Sequence, residues 1–391
     1  YFDGNSLGLL CKPAEESLES VLQHWKELGI GGWLDATPPW FDLVESLSAA
    51  IADLIGAQPI NVTVGNSTTV QLHQLLSTFY DPSLENDKIV IDELAFPTDR
   101  YAVRSHLKLR GKPPAECLQV INSPDGFRLD ESEIIQQMND AIQMVILPSV
   151  IFTSGQLLGI ARICDAAKEQ DILVGFDCSH SFGVVPHQLE ADQVDFAFGC
   201  TYKYGCGGPG APAWLFIHPK HADRMPGMAG WFGNDKSTMF DMADEFQPAD
   251  GAHRMQLGTP SILALAPLIG SLDLLQRAGI ETIRSASLAK TDFLVELIEK
   301  HLVPRGCEIV RLEHDRRGGH VALLHDRARA ISVALRDRGF VPDCRPPRIL
   351  RLCPSPLYTS YHECASLVQN IAELLDGDTL TNYETNTDAI P

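Results

Sequence analysis

Phe196-Ala-Phe-Gly-Cys-Thr-Tyr-Lys-Tyr-Gly-Cys-Gly-Gly-Pro-Gly210 is an apolar run that leads into a lysine between two tyrosines and then into glycines. The apolar half reads as a buried strand, with Lys203 at its end facing a loop that backbone can approach closely. An amine held in a partly dry pocket loses basicity and becomes able to form a Schiff base with an aldehyde. Just upstream, Ile172-Leu-Val-Gly-Phe-Asp177 is a second apolar run that ends in a carboxylate, followed by Cys178-Ser-His180. A lysine and an acid on neighbouring strand ends are what a pyridoxal phosphate enzyme requires. The lysine binds the aldehyde, and the acid keeps the ring nitrogen protonated.

The same alternation extends in both directions. Apolar runs at 61–64, 88–92, 117–121, 143–147, 172–177, 195–200 and 213–217 predict strands, and helical spacing predicts helices at 68–80, 98–110, 131–138 and 161–170. Unbroken apolar strands alternating with helices imply a mostly parallel seven-stranded α/β sheet covered on both faces, with ligands at the carboxyl ends of its strands. Upstream, 12–28 and 41–55 read as helices. After Pro260 the pattern changes to long helices at 262–276 and 280–302, short strands at 308–312, 320–324 and 349–352, and helices at 327–338 and 361–375. These predict a smaller α+β domain over 261–376, after a large domain over 46–260. Residues 1–45 are expected to pack with the small domain, and the polar stretch 377–391 to form a loose tail.

Composition narrows the class. The 391 residues are 45% hydrophobic and 21% charged, as expected of a soluble globular protein. The net charge of -20, from 51 acidic and 31 basic residues, argues against nucleic acid and anionic membranes as partners. Ten cysteines without a Cys-x-x-Cys pair read as reduced thiols in a cytoplasmic protein. No apolar run reaches the length of a membrane span. No signal peptide is visible, and because the chain opens at Tyr1 rather than methionine, some preceding residues are expected to be missing.

Several further positions carry chemistry. Gly65-Asn-Ser-Thr-Thr69 places hydroxyls between a strand and a helix, a natural phosphate cradle or simply a helix cap. Asp92-Glu-Leu-Ala-Phe-Pro-Thr-Asp99 offers Phe96 as a flat face for a ring, with Thr98 and Asp99 expected to cap the next helix. Trp231 in Gly230-Trp-Phe-Gly233 suits a site wall or a subunit contact. Arg351, between leucines, points either to a substrate carboxylate or to a structural ion pair. His218-Pro-Lys-His221 has metal-like spacing but reads as a surface turn without an acid partner, and no metal site is expected.

Taken together, these residues resemble kynureninase, a pyridoxal phosphate enzyme of the aspartate aminotransferase fold that cleaves kynurenine to anthranilate and alanine. The resemblance spans nearly the whole chain. It rests on Asp3-Gly-Asn-Ser-Leu-Gly8, Ser67-Thr-Thr-Val-Gln-Leu-His73, Asp92 to Asp99, Gly175-Phe-Asp-Cys-Ser-His-Ser-Phe-Gly183, Tyr202-Lys-Tyr204, Gly230 to Gly233, and Arg351 before Pro354-Ser-Pro-Leu-Tyr358. It implies Lys203 as the Schiff-base lysine, Asp177 as partner of the ring nitrogen, and Tyr202 beside them in catalysis. It implies Phe96 stacked on the ring with His180, Thr98 and Asp99 nearby, and Thr68, Thr69 and Tyr202 around the phosphate. Trp231 and Thr259 would come from the partner subunit of a homodimer, while Ser6, Trp33 and Arg351 would contact substrate.

Three positions depart from the family pattern. Trp33 stands where many members have histidine, Thr259 where many have asparagine, and Gly199 where many have tryptophan. The first two bear on the choice between kynurenine and 3-hydroxykynurenine. A cysteine desulfurase or other lyase of the same fold, and a catalytically silent binding protein, are the alternatives. The first needs a mobile cysteine facing the cofactor, and the intact Lys203, Asp177 and Arg351 argue against the second.

Overall fold

The computed structural model describes residues 1–383. The chain forms helix α1 (Lys12–Leu28), α2 (Leu43–Ile55), strand β1 (Val62–Val64), α3 (Thr68–Phe79), β2 (Lys88–Asp92), α4 (Pro97–Leu109) and β3 (Leu118–Ile121). It continues through β4 (Ile142–Pro148), α5 (Ile160–Lys168), β5 (Leu173–Asp177), β6 (Phe196–Gly199) and β7 (Trp214–Ile217). The last part holds α6 (Ile262–Ala278), α7 (Ile280–His301), β8 (Glu308–Ile309), β9 (Val321–Leu324), α8 (Ala328–Asp337), β10 (Asp343–Arg345), β11 (Ile349–Leu352) and α9 (Tyr361–Asp376).

Among the described residues, β1 to β7 form one seven-stranded sheet in the order β1-β7-β6-β5-β4-β2-β3. Strand β7 alone runs opposite to the other six. The two faces of this sheet are covered by different helices, as strand alternation demands. Val90, Val145, Val174, Phe176 and Ala197 pack with α2, α5 and α6. The residues between them, Ile89, Ile91, Met144, Ile146, Phe196 and Phe198, pack with α3 and α4. Both faces are therefore dry, and the polar chemistry is confined to the strand ends.

A second core gathers α7, α8, α9, β9 and β11 over a four-stranded sheet in the order β10-β11-β9-β8. Strand β10 has no counterpart in the sequence reading. The helices α6 and α7 meet at Gly279 with a 79° bend. Among the described residues no single helix is long and apolar enough to cross a membrane.

Packing differs from the expected domain limits at three places. Within 1–45, Phe2 lies in the small-domain core, but α1 lies along α6, so closely that a Cβ on Gly270 would sit 2.0 Å from the Pro13 carbonyl. Helix α6 itself joins the large core through Leu265, Leu268, Leu272 and Leu275, so position 261 does not open the small core. In the expected tail, Thr379–Tyr383 forms a turn with Leu380 buried and the Tyr383 hydroxyl 2.9 Å from Asp337. The rest of that tail, 384–391, lies outside the described residues.

Candidate active site

Asp177 is the last residue of β5, and its Oδ1 accepts from the Ser179 N–H at 2.8 Å. Lys203 lies four residues beyond the end of β6, in a turn rather than at the strand end, because pairing with β7 stops at Gly199. That turn lets Lys203 and Tyr202 face one cavity while Tyr204 packs away against Val150, Val184, Val185 and Cys353. The cavity, of about 310 Å³, is lined by Lys203, Asp177, His180, Phe96, Tyr202 and Arg351. The hydroxyl residues Ser6, Ser67, Thr68, Thr69 and Thr98 complete much of its wall.

Lys203 Nζ stands 2.7 Å from His180 Nε2 and 5.8 Å from the centroid of the Phe96 ring. Burial lowers the lysine pKa, offset in part by Cys200 and Asp177. Burial and then the Lys203 charge hold the His180 pKa well below the usual imidazole range, leaving a neutral ring whose Nδ1 has no partner. Phe96 is 41% exposed although it sits in a cavity wall, braced edge-on by Phe152 at 5.3 Å. The cradle is the start of α3: Ser67 caps the helix through Val70 N–H, and Thr69 Oγ1 meets Thr98 Oγ1 at 2.8 Å. A helix start offers unpaired N–H groups and a positive dipole end to an anion.

Three expectations change here. Helix α4 begins at Pro97 with Phe96 as its unpartnered cap, so Thr98 and Asp99 lie within its first turn rather than capping it. Asp99 is buried behind Asp177, not in the cavity wall, and burial together with the Asp177 charge raises its carboxyl well above the ordinary range. His221 has an acid partner, Asp195 Oδ1 at 2.7 Å, and His218 is buried, so this pair braces β7 instead of decorating a surface turn.

Trp33, Trp231 and Thr259 do not line the Lys203 cavity. Trp33 packs on Trp40 and Phe232, and Trp231 lies against Phe232 and Phe240 at 43% exposure. Thr259 borders a separate small cavity with Asn66 and Gly258.

The other end of the cavity holds Arg351 and Ser6, as expected, beside residues that the sequence reading missed. Arg351, 1% exposed, donates to the Phe152 carbonyl at 2.8 Å and to Ser6 Oγ at 3.0 Å. It also pairs with Asp343, a fully buried carboxylate of β10. With its oxygen turned inward, the Asn5 amide accepts from Arg351 Nε at 3.2 Å. Asn5 and Arg345 both line the cavity. For Asp343 and Arg345 the available signal was slight, an acid two residues before an arginine in a segment without an apolar run, while Asn5 lies in the Asp3–Gly8 marker, where no role was read for it. All ten cysteines are free and nine are buried, including Cys178, Cys200 and Cys206 next to the site.

With this geometry in view, comparisons with known proteins decide the family. A family model described as the kynureninase C-terminal domain matches residues 283–371. The chain is 48% identical to kynureninase of Geobacillus thermodenitrificans over 96% of its length and 88% of that protein's. It is 44% identical to kynureninases of Shouchella clausii and Bacillus anthracis, over its whole length and 91% of theirs.

The chain belongs to the kynureninase family. Solved structures bear on the fold of this kynureninase relative alone. The cystine C–S lyase C-DES aligns with a TM-score of 0.83 at 20% identity, over 95% of this chain and 97% of that one. In one C-DES structure glycine is covalently linked to the PLP cofactor. A cysteine desulfurase from Thermococcus onnurineus NA1 aligns with a TM-score of 0.80 at 17% identity, over 96% of this chain and 94% of that one.

Proposed function

We propose that this chain uses pyridoxal phosphate to hydrolyse the Cβ–Cγ bond of L-kynurenine or 3-hydroxykynurenine, releasing anthranilate or 3-hydroxyanthranilate and L-alanine. The reading places it in tryptophan breakdown, a route that can feed NAD synthesis, as a cytoplasmic homodimer. The observation that carries it is the half-buried Lys203 amine, 2.7 Å from a neutral imidazole, in a cavity that also holds Asp177 and a hydroxyl-rich helix start.

These residues fit the cofactor. Lys203 would hold it covalently through Nζ, Asp177 would face its ring nitrogen, and Phe96 would cover its ring. His180, with its orphaned Nδ1, would sit alongside. Thr68, Thr69 and Tyr202 would take the phosphate, together with Trp231 and Thr259 of the partner subunit. Thr98 would steady Thr69, and Asp99 would stand behind Asp177. Pyridoxal phosphate, when bound, supplies an electron sink next to the substrate α-carbon.

The remaining work belongs to the chain. Burial leaves the Lys203 amine a stronger candidate to carry a proton to and from the α-carbon, since a group is best matched to that task when its pKa lies near the working pH. Arg351 would orient the substrate's α-carboxylate, with Ser6 hydrogen-bonded to it, and Trp33 would influence the aromatic end across the dimer. Nine of the ten thiols are buried, Cys11 being the exception, which supports this reading over one that needs a mobile cysteine at the cofactor.

Incubating the purified protein, loaded with pyridoxal phosphate, with L-kynurenine and following anthranilate fluorescence tests the proposal. Steady release supports it, and none under saturating cofactor and substrate would sink it. The same assay with 3-hydroxykynurenine reads the preference that Trp33 and Thr259 leave open.

A further inference from the structure

We propose that Arg345 is a second residue for the substrate's carboxylate, acting jointly with Arg351, and that Asp343 is the positioning residue that holds both guanidiniums. This inference rests on reading the cavity as an amino-acid site.

The argument starts from hydrogen-bonding capacity. Every nitrogen of Arg351 already has a protein acceptor: the Phe152 carbonyl, Ser6 Oγ, Asp343 and the Asn5 oxygen. A carboxylate reaching Arg351 must share or displace these bonds. Arg345 is differently placed. Its Nη2 touches the same Asp343 oxygen at 3.2 Å, its Nε has no partner, and its side chain is 33% exposed in the cavity wall. A partly desolvated guanidinium with an unpartnered donor gains most from a further acceptor, and a carboxylate supplies one with matching geometry.

Charge points the same way. Two guanidiniums share one buried carboxylate, Asp343, to which Ser6 Oγ also donates at 3.3 Å. The other acid close by, Asp3, is buried with Oδ1 unpartnered, and burial raises its pKa toward the neutral form. The two guanidiniums thus share one paired carboxylate oxygen between them, and a ligand carboxylate would give them a second acceptor. Strand pairing explains how the cluster is held: Asp343 lies opposite Arg351 in the β10–β11 register, and Arg345 follows two residues later on the same face.

The test uses holoenzyme with L-kynurenine and with its carboxamide analogue, which lacks the negative charge. Arg345→Met should raise KM for kynurenine about tenfold or more while kcat falls less, as expected when a charge-assisted contact is lost. Its discrimination between acid and amide should shrink by a similar factor. Arg345→Lys, which keeps charge but loses the fork, should recover part of the affinity. A folded Arg345→Met enzyme with unchanged KM and unchanged acid-to-amide discrimination would overturn the inference. Should that variant not fold, an unchanged KM in Arg345→Lys would do the same. Wild-type enzyme that fails to cleave kynurenine would instead sink the proposed function.

Discussion

Asp92 closes β2 with no exposure and neither carboxylate oxygen partnered. Burial pushes its pKa from the ordinary 3.8 up to about 7, an effect that the nearby Leu94 and Ala95 N–H groups only partly offset. Between those values the folded protein keeps a proton that the unfolded chain has released, so stability falls as pH rises through that window. The full cost above it is on the order of 4 kcal/mol. Asp92→Asn keeps the shape without the charge. It should gain stability near pH 8 and gain almost none near pH 4, as urea unfolding at the two pH values would measure. Equal effects at both would mean that the buried charge is not the cause. Lys203→Ala, by contrast, should lose anthranilate release and the visible absorbance of bound cofactor together, and retained turnover would exclude Lys203 from catalysis. Lys203 and Asp177 were legible because each breaks an apolar run with a charge. Asn5, Asp343 and Arg345 were not: none of them interrupts an apolar run, and only the β10–β11 pairing and the fold of the N-terminal loop bring them to Arg351.

Among the elements, β5 decides whether Asp177 reaches the cavity. Gly175 sits on β5 opposite Phe196 in the β5–β6 register, and a Cβ added there would lie 2.0 Å from the Phe196 ring. That ring cannot swing aside, because it is wholly buried and packed 4.9 Å from Phe79. Gly175→Ala should therefore cost roughly 1–3 kcal/mol as an overpacked core, and displace the strand that carries Asp177. A lowered Tm together with weakened cofactor retention is the expected result, and an unchanged Tm would refute the packing argument. The long strands and helices could be read from sequence because apolar period and turn residues agree along them. Strand β10, Asp343–Arg345, could not: a three-residue Asp-Cys-Arg segment carries no apolar period, and pairing with β11 alone makes it a strand. The position of Lys203 in a turn was likewise invisible, because only the β6–β7 register fixes where β6 ends.

At the scale of the whole molecule, the separation of Trp231 and Thr259 from the Lys203 cavity bears on assembly. Trp231 and Phe240 stay 43% and 62% exposed at the end of an aromatic chain running through Phe232, Phe41 and Trp33. Exposed aromatic clusters of this kind favour contact with another protein surface. If a second copy covers them, each site borrows Trp231 and Thr259 from its neighbour. Light scattering should then give twice 42.9 kDa. A mixing experiment is more decisive. Lys203→Ala should be inactive, and a Trp231→Ala, Thr259→Ala double variant strongly impaired. After co-refolding, one site of each mixed dimer pairs an intact Lys203 with an intact Trp231 and Thr259 of the partner subunit, so activity should rise well above that of either parent. Sites wholly contained in one chain predict no rise, because no chain in the mixture then carries a complete set.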